Sequence, residues 1–394
     1  MCPHRGGGTG NQGNQAKVWV FSHMTFVLFH LAAGGKSVDN RPPPMSANRI
    51  KIAVVGASGY SGMELLRLLL RHPQAEIVAV TSRSLAGKSL SAEFPRFRGV
   101  GNADALKFTA PDAEAIKAAG AEVAFLALPH GVSVEYARPL LELGLKIIDL
   151  SADFRLRDAA VYQEYYSHEH PAPEFLAEAV YALPEIRADE IKAARIIACP
   201  GCYPTSILLP LIPLLQADLL STDPIAVSSM SGASGAGRNA SIPLLFCEVN
   251  GSVRSYSVPV HRHLSEIGQE LALAAGRTVQ LSFVPHLIPV YSGICTTIFA
   301  GLKAGVSIDD VGAALEKKYA GKPFVRLLGL GQCPDTKHVV GTNFIDIGWA
   351  FDARAGRLIL MSAEDNIGKG AAGQAIQNFN LVSGLPETMG LMSV

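Results

Sequence analysis

The sequence predicts an α/β protein in which a doubly wound, Rossmann-type domain is followed by an α+β domain with a mixed sheet. Short β-branched strands alternate with helices from residue 50 to residue 150, as in a parallel sheet covered on both faces. A glycine-rich turn directly follows the first strand. Beyond residue 202 the strand-like segments are longer and partly alternating, which indicates mixed pairing. A length of 394 residues favours two domains over one.

The first domain, expected at 46–201, is predicted from buried strands and the helices between them. The strand at 50–55 ends at the glycine turn, and a helix follows. The remaining predicted segments are strands at 76–81, 123–128, 146–150 and 195–198, and helices at 63–70, 113–119 and 133–143.

The second domain, expected at 202–362, begins with a predicted helix. The last two of its strands have hairpin-like spacing, which favours antiparallel pairing. Its predicted segments, with one helix beyond it, are strands at 225–229, 279–284, 293–301, 343–351 and 357–361, and helices at 203–215, 308–319 and 371–379.

Residues 1–45 stand apart from this pattern. They are rich in Gly, Asn and Gln, then largely apolar from 18 to 31, and contain no acidic residue before Asp39. The apolar run is too short and too polar for a membrane span. We expect this extension to be a presequence or the product of a start assigned upstream of Met45, and to be disordered or absent from the mature protein.

Charge and cysteine content narrow the class of protein. The formal net charge is zero, which predicts no nucleic-acid partner, and no membrane partner is expected either. Six cysteines are scattered, mostly in apolar contexts, unlike a disulfide framework. We therefore expect a reducing compartment, the cytoplasm.

The turn after the first strand is a candidate dinucleotide site. It reads Gly56-Ala57-Ser58-Gly59-Tyr60-Ser61-Gly62. Glycines let the backbone approach a pyrophosphate, whose charge is met by the following helix N-terminus. The spacing departs from G-x-G-x-x-G, so a tight turn without a ligand is the alternative; its place at the first strand–helix junction favours a dinucleotide.

The end of the second strand indicates which dinucleotide binds. An NAD site usually has Asp or Glu there for the ribose hydroxyls. This chain has Ser82, Arg83 and Ser84 instead. A guanidinium flanked by hydroxyls suits a 2′-phosphate, so the position favours NADP over the alternative of a solvated surface arginine.

Cys202 is the candidate nucleophile. It lies at a strand-to-helix turn, where the helix dipole and free N–H groups lower a thiol pKa to about 3.5–7.5. One alternative is a redox pair with Cys199, although the pair lies far beyond the first strand. Another is a zinc site, but Cys333 and His338 supply no convincing second ligand pair. We expect no metal.

A histidine cluster supplies the candidate acid/base. His261, Arg262 and His263 are followed by Glu266. On a helix, His263 and Glu266 lie at i and i+3, so the carboxylate would orient the imidazole. Arg262 would meet an anionic substrate. The alternative is an ordinary polar helix start.

Together these segments resemble the N-acetyl-gamma-glutamyl-phosphate reductase family, relatives of aspartate-semialdehyde dehydrogenase, from about residue 50 to the C-terminus. Each motif alone is weak, and their occurrence in order makes the combination specific. The chain departs from the family at Cys199, where asparagine is common, a change that leaves Cys202 untouched. The motifs are Gly-Ala-Ser-Gly-Tyr-Ser-Gly at 56–62, Leu-Pro-His-Gly at 128–131, Leu-Ser-Ala-Asp-Phe-Arg at 150–155, Pro-Gly-Cys-Tyr-Pro-Thr at 200–205, Ser-Gly-Ala-Ser-Gly-Ala-Gly-Arg at 231–238, His-Arg-His at 261–263 and Asp-Asn-Ile-Gly-Lys-Gly-Ala-Ala-Gly-Gln at 365–374.

The resemblance implies an NADPH-dependent reductase of arginine biosynthesis. Its small-molecule substrate would be N-acetyl-L-glutamyl 5-phosphate, an acyl phosphate, reduced to the semialdehyde through a thioester on Cys202. His263 or His261 would act as the acid/base; we favour His263 because Glu266 would orient it.

The resemblance also implies binding residues and an assembly. A homodimer or homotetramer would form on the sheet of the second domain, and the C-terminal segment at 363–394 would pack back on the first domain. The substrate carboxylate or phosphate would be met by Arg155, Arg238 and Arg262. Besides the loop and the Ser82–Ser84 stretch, the cofactor would be met by Pro129, Ser234, Gly235 and Asn366.

Two other functions stay open at this point. A sister enzyme acting on carrier-protein-linked aminoadipyl phosphate in lysine biosynthesis would need a basic patch at the mouth of the site, and no obvious basic run is present. A non-catalytic NADP-binding or thiol-redox protein would still function after Cys202→Ser.

Overall fold

The computed structural model describes residues 49–392, so the predictions for residues 1–45 lie outside the described part of the chain. The predicted fold class is confirmed: one seven-stranded sheet is wholly parallel and a second seven-stranded sheet is mixed. Within residues 49–392, no helix combines the length and the apolar character needed to cross a bilayer.

The parallel sheet has the strand order β3-β2-β1-β4-β5-β7-β6. Separate apolar clusters pack on its two faces, as doubly wound connections require. Its strands are β1 Ile50–Val55, β2 Ala75–Thr81, β3 Phe108–Thr109, β4 Val123–Leu126, β5 Lys146–Asp149, β6 Val180–Tyr181 and β7 Ile196–Ala198. The helices of this half are α1 Tyr60–Leu69, α2 Leu90–Glu93, α3 Ala113–Ala118, α4 Ser133–Glu142, α5 Ala159–Tyr166 and α6 Pro184–Ala193.

The mixed sheet has the order β12-β13-β14-β11-β8-β10-β9. Two of its pairs, β12–β13 and β10–β8, are parallel, and β13–β14 is the predicted antiparallel hairpin. Its strands are β8 Ile225–Ser231, β9 Arg254–Ser255, β10 Leu281–Leu287, β11 Ile294–Ala300, β12 Val325–Leu330, β13 Ile345–Asp352 and β14 Arg357–Glu364. The helices of this half are α7 Cys202–Gln216, α8 Phe246–Val249, α9 His263–Ala275 and α10 Ile308–Tyr319, and the last helix of the chain, α11 Gly373–Val382, packs on the parallel sheet.

Helix α7 lies at the centre of the molecule. Every residue from Tyr203 to Leu215 is buried, in a cluster shared with α9, α10 and the mixed sheet. This explains its uniformly apolar sequence, since a helix covered on all sides needs no polar stripe. The start of α7 is thereby held in place, and that start is Cys202.

The end of the chain returns to the parallel sheet. A π-helical turn at Gly368–Ala372 leads into α11, whose Ile376 and Phe379 join the core of the first sheet. The buried ammonium group of Lys369 donates to Glu185 Oε1 at 2.6 Å, which ties this segment to α6.

Candidate active site

A large cleft, with a volume of about 1340 Å³, lies along the carboxyl edge of the parallel sheet and the starts of α7 and α9. Ligands of doubly wound proteins bind at this edge. The cleft brings together every site residue that the sequence predicted except Glu266, which is buried beneath it. The predicted residues that line it are Gly56, Ser58, Gly59, Tyr60, Ser61, Gly62, Ser82, Arg83, Ser84, Pro129, Arg155, Cys202, Ser234, Gly235, Arg238, His261, Arg262, His263 and Asn366.

The glycine loop is shaped to receive a dinucleotide. Gly56 has φ +83°, and a Cβ there would lie 2.5 Å from the carbonyl oxygen of Ala127, so only glycine makes this turn. At Gly59, by contrast, an added Cβ meets nothing within 4 Å. No side chain caps α1, which leaves the N–H groups of its first turn for an anion. The loop therefore offers open space and backbone donors where a pyrophosphate would bind.

Arg83 lies at the rim of the same part of the cleft. Its side chain is 68% exposed, and its Nε donates to the hydroxyl of Tyr136 at 3.0 Å. Ser82 Oγ donates to Ser58 Oγ at 3.3 Å, so the end of β2 is joined to the glycine loop. The exposed guanidinium is held beside the loop with N–H groups left over for a phosphate.

Cys202 is the first residue of α7, as predicted, but the expected lowering of its pKa is wrong. Burial raises the pKa of the thiol to about 12. The helix start does not outweigh removal of the thiolate from water. The Cys202 thiol is therefore neutral, and attack by its sulfur would need a base to take the proton.

His263 is placed to be that base. A Cβ at Gly201, the residue before Cys202, would lie 2.6 Å from His263 Nε2, so the imidazole rests directly on the backbone that leads into the thiol. On the other side, the ring meets Tyr203 edge-on with centroids 5.9 Å apart. Burial, reinforced by the neighbouring His261, lowers the pKa of His263 well below its usual value. The imidazole is therefore neutral and free to accept a proton.

His261 lies in an aromatic pocket beside His263. Its ring makes edge contacts with Tyr203, Tyr256 and Phe283, and its Nδ1 accepts the backbone N–H of His263 at 3.2 Å. Burial lowers its pKa to about 4. These contacts favour a positioning role for His261 beside the base.

Glu266 holds the turn before the nucleophile. Its carboxylate accepts the N–H of Gly201 at 3.0 Å, Arg155 Nη1 at 2.9 Å and the hydroxyl of Tyr181 at 3.2 Å. His263 Nε2 lies 3.9 Å from it, beyond hydrogen-bonding distance, so no hydrogen bond from Glu266 orients the imidazole. The carboxylate acts on the backbone of Gly201 instead.

The three predicted substrate arginines differ in their surroundings. Arg155 is buried and also donates to the carbonyl oxygens of Cys199 (2.7 Å) and Leu150 (2.8 Å), which favours a structural role. Arg262 is exposed, and its Nη1 donates to the imidazole of His130. Arg238 is exposed and donates to the carbonyl oxygen of Ser58 at 3.0 Å, in the glycine loop. Arg262 therefore keeps the most direct access to an anion beside the histidines.

Asn366 fixes the opposite wall. Its side chain accepts the N–H of Gly293 at 2.7 Å and donates to Ser234 Oγ at 2.9 Å. Two predicted cofactor residues, Ser234 and Asn366, are thus bonded to each other although 132 positions separate them.

Cys199 and Cys202 are not joined by a disulfide in this structure. All five described cysteines are free thiols. Burial raises the pKa of Cys199 to about 12, and its sulfur accepts only a 3.7 Å contact from Asn378 Nδ2. No group of three or more metal-ligating side chains occurs among the described residues.

Sequence reasoning missed groups that are far apart in the chain. The hydroxyls of Tyr203 and Tyr256 are 2.8 Å apart beside the histidines, and Glu364 lies behind Cys202. Glu364 directly precedes the motif at 365–374, which was the only signal in the sequence that pointed toward it.

A parallel sheet with a glycine loop, facing a helix that starts with a thiol, defines an oxidoreductase of the semialdehyde dehydrogenase class. Residues 51–194 match the family profile described as semialdehyde dehydrogenase, NAD binding domain, and residues 202–366 match semialdehyde dehydrogenase, dimerisation domain. Within that class, the chain belongs to the N-acetyl-gamma-glutamyl-phosphate reductase family.

Relatives of that name share most of their length with this chain. The protein from Akkermansia muciniphila is 60% identical over 343 residues, which cover 87% of this chain and 99% of the relative. The protein from Desulfotalea psychrophila is 48% identical over 343 residues, which cover 87% of this chain and 98% of the relative. The resemblance inferred from the motifs is confirmed.

Solved structures share the fold at much lower identity. Aspartate semialdehyde dehydrogenase II from Vibrio cholerae superposes with a TM-score of 0.64 at 18% identity, covering 86% of this chain and 99% of that one. Aspartate semialdehyde dehydrogenase from Candida albicans, solved with NADP, gives a TM-score of 0.65 at 17% identity, covering 85% and 99%. These likenesses support the two-sheet architecture.

Proposed function

We propose that this chain reduces N-acetyl-L-glutamyl 5-phosphate to N-acetyl-L-glutamate 5-semialdehyde with NADPH, in arginine biosynthesis. The observation that carries the proposal is a thiol at the start of α7, with a neutral imidazole resting on Gly201, in the same cleft as the glycine loop. The names of the relatives support the choice of substrate.

The first half of the reaction forms the thioester. The sulfur of Cys202 attacks the acyl carbon of the acyl phosphate, the carbon–oxygen bond to phosphate breaks, and phosphate departs. His263 takes the thiol proton and passes it to the departing phosphate oxygen, which its lowered pKa permits. The N–H of Gly201 is already used by Glu266, so the turn keeps its shape while the sulfur changes partner.

The second half releases the aldehyde. When bound, NADPH supplies the hydride that reduces the thioester carbon. The carbon–sulfur bond then breaks, the aldehyde leaves, and the sulfur of Cys202 recovers a proton from the medium through His263. One proton is consumed overall, so the balance is that of an acyl phosphate reduced to an aldehyde and phosphate.

Specificity for the phosphorylated dinucleotide is assigned to the end of β2. Arg83 is exposed at the rim and is joined through Ser82 to the glycine loop. A guanidinium there would meet a 2′-phosphate with paired, charge-assisted hydrogen bonds. The family profile supports nicotinamide dinucleotide binding, and Arg83 supports NADP.

Substrate and assembly complete the proposal. Arg262 meets an anionic group of the substrate, because it is exposed next to the histidines. A homodimer or homotetramer forms on the mixed sheet, supported by the matched dimerisation profile. The enzyme works in the cytoplasm.

The test is the reverse reaction, followed as phosphate-dependent or arsenate-dependent reduction of NADP. We expect N-acetylglutamate semialdehyde to be oxidised at least about tenfold faster, as kcat/KM, than aspartate semialdehyde. Equal rates with the two aldehydes, or a rate that does not depend on phosphate or arsenate, would contradict the proposal.

A further inference from the structure

Glu364 is a buried carboxyl group that the reaction described above does not use. It is the last residue of β14 and has no exposed surface. Neither of its oxygens has a hydrogen-bond partner among the described residues. The nearby cation Lys369 is already bonded to Glu185 Oε1 at 2.6 Å and to Gln377 Oε1 at 2.8 Å.

The carboxyl lies directly behind the nucleophile. The point where a Cβ of Gly370 would stand is 2.8 Å from Cβ of Cys202 and 3.1 Å from Glu364 Oε1. Both side chains therefore border Gly370, and no hydrogen bond joins the sulfur to the carboxyl in this structure. A larger residue at 370 would come between them.

A carboxylate in this place would be expensive. An ion removed from water without a partner costs several kcal/mol, so the group takes up a proton instead. Burial is the largest influence on Glu364 and raises its pKa well above the ordinary value. Glu364 is thus a carboxylic acid at neutral pH, with an O–H that finds no acceptor among the described residues.

Such a group is a burden on stability. A buried polar group without a partner destabilises the fold, whereas an apolar side chain of the same shape is often neutral or stabilising. Positions that break a local rule of stability tend to lie at functional sites. Glu364 is such a position, and it borders the same glycine, Gly370, as the side chain of Cys202.

We propose that protonated Glu364 donates a hydrogen bond to the sulfur of Cys202 whenever that sulfur carries negative charge. The inference rests on the proposed role of Cys202 as nucleophile. Glu364 acts through Cys202 as a positioning residue, on the buried side, while His263 acts from the cleft. It keeps its proton throughout, so no bond to substrate forms or breaks at Glu364.

The donor matters twice in the reaction. It stabilises the sulfur as the thiol proton leaves for His263, and again when the carbon–sulfur bond breaks and the sulfur departs. In both steps charge develops in a site with little water, where a fixed donor is more effective than in solution. A leucine at 364 would leave the thiolate with no donor from this side.

The test follows the pH dependence of Cys202 alkylation by iodoacetamide in the full-length protein, with site-resolved mass spectrometry to separate Cys202 from Cys199. Glu364→Gln keeps an N–H donor and is the matched control for Glu364→Leu, which keeps the volume without a donor. We expect Glu364→Leu to move the alkylation profile upward by about one pH unit and to slow alkylation at fixed pH about tenfold, the loss of one charge-assisted hydrogen bond. Glu364→Gln should stay within about twofold of the parent.

Thermal unfolding gives a second readout. We expect Glu364→Leu to unfold at the same or a higher temperature than the parent, because it removes a buried polar group without a partner. A slower thiol in an equally stable protein separates tuning of Cys202 from general damage. If Glu364→Leu fails to fold, Glu364→Met takes its place in both measurements.

Two results would overturn the inference. Faster alkylation in both variants would mean that Glu364 is ionised and opposes the thiolate. An unchanged profile in the folded Leu or Met variant would mean that no donor reaches the sulfur. Failure of the proposed function is distinguishable, because the phosphate-dependent assay with the two aldehydes tests that function in the parent protein, whereas the alkylation profiles decide about Glu364 independently.

Discussion

The two ends of the cleft differ in how far their polar groups are exposed to solvent. At the cofactor end, a glycine loop offers backbone N–H groups and open space, and Arg83 is 68% exposed. At the thiol end, Glu266 and Glu364 have no exposed surface, and Arg155 is almost as deeply buried. Binding a large anion needs accessible donors, whereas control of proton affinity needs removal from water. We therefore expect the glycine-loop end to recognise the cofactor and the thiol end to control the reactivity of Cys202.

Substitution at the thiol should produce the largest effect. We expect Cys202→Ser to lower phosphate-dependent NADP reduction at least about 10³-fold, because the covalent route is lost. NADPH binding, followed by its fluorescence, should stay within about twofold, since the glycine loop is untouched.

The matched control is Cys199→Ser, three residues earlier, at a buried thiol whose sulfur contacts Asn378. It should keep most of the activity. Equal losses of activity in the two serine variants would instead support a redox pair of Cys199 and Cys202 and would contradict the separate role given to Cys202.

The base comes next. His263→Gln should lower kcat by about 10²-fold, the usual contribution of a general base. His261→Gln should cost less, because His261 lies among Tyr203, Tyr256 and Phe283 rather than over Gly201. Steady-state kinetics with saturating NADPH would measure both, and a larger loss at position 261 would exchange the two roles.

At the cofactor end the effect should be on binding alone. Arg83→Ala is expected to weaken NADPH binding about tenfold while NADH binding stays nearly constant, because only the 2′-phosphate loses its partner. Arg138→Ala is a suitable control, since Arg138 pairs with Glu174 on the surface and does not line the cleft. An unchanged NADPH/NADH ratio in the Arg83 variant would refute the assignment.

The smallest expected effect is on stability in acid. His261 has a folded pKa lowered to about 4 by burial, below an unfolded value of about 6.5. The unfolded chain therefore binds more protons, and this contribution is complete above pH 6.5 and is lost as the pH falls toward 4. His261→Gln should show a smaller drop in unfolding temperature between pH 7.5 and pH 5 than the parent, by a few degrees.

The comparison with the parent isolates the histidine. Asp149, whose pKa is raised to about 7 by burial and by Asp153, shifts stability in the opposite direction, and it does so in both proteins. Identical pH profiles for the parent and the variant would show that His261 is not held neutral in the fold.

The glycine-loop end of the cleft could be predicted from the sequence, whereas the contacts at the thiol end could not. The glycine loop and the residues at the end of β2 are adjacent in sequence to the strands that position them, so their place at the sheet edge could be predicted. The bond from Glu266 to Gly201 spans 65 positions, and that from Arg155 to Glu266 spans 111. Such pairings depend on how α7 and α9 pack, which no local pattern encodes.

The thiol itself illustrates the limit. Its place at a helix start was readable from Pro200 and Gly201, but its proton affinity depends on burial and on Glu364, which is 162 positions away. Strands β3, β6 and β9 were also missed, because segments of two residues carry no periodicity, and the six-residue strand β12 was missed as well. Strand β10 continues beyond its predicted end, since Pro285 pairs within it rather than ending it.

The return of the chain to its first sheet affects how the protein can be made. Ile376, Phe379 and Leu391 complete an apolar core that begins at Ile52. During synthesis, the glycine loop and the strands of its sheet therefore leave the ribosome long before the C-terminal segment that completes their apolar core. The nucleotide-binding half should reach its native packing only after synthesis ends. A truncated chain that stops before α11 should have an incomplete core, even if it contains every strand of the parallel sheet.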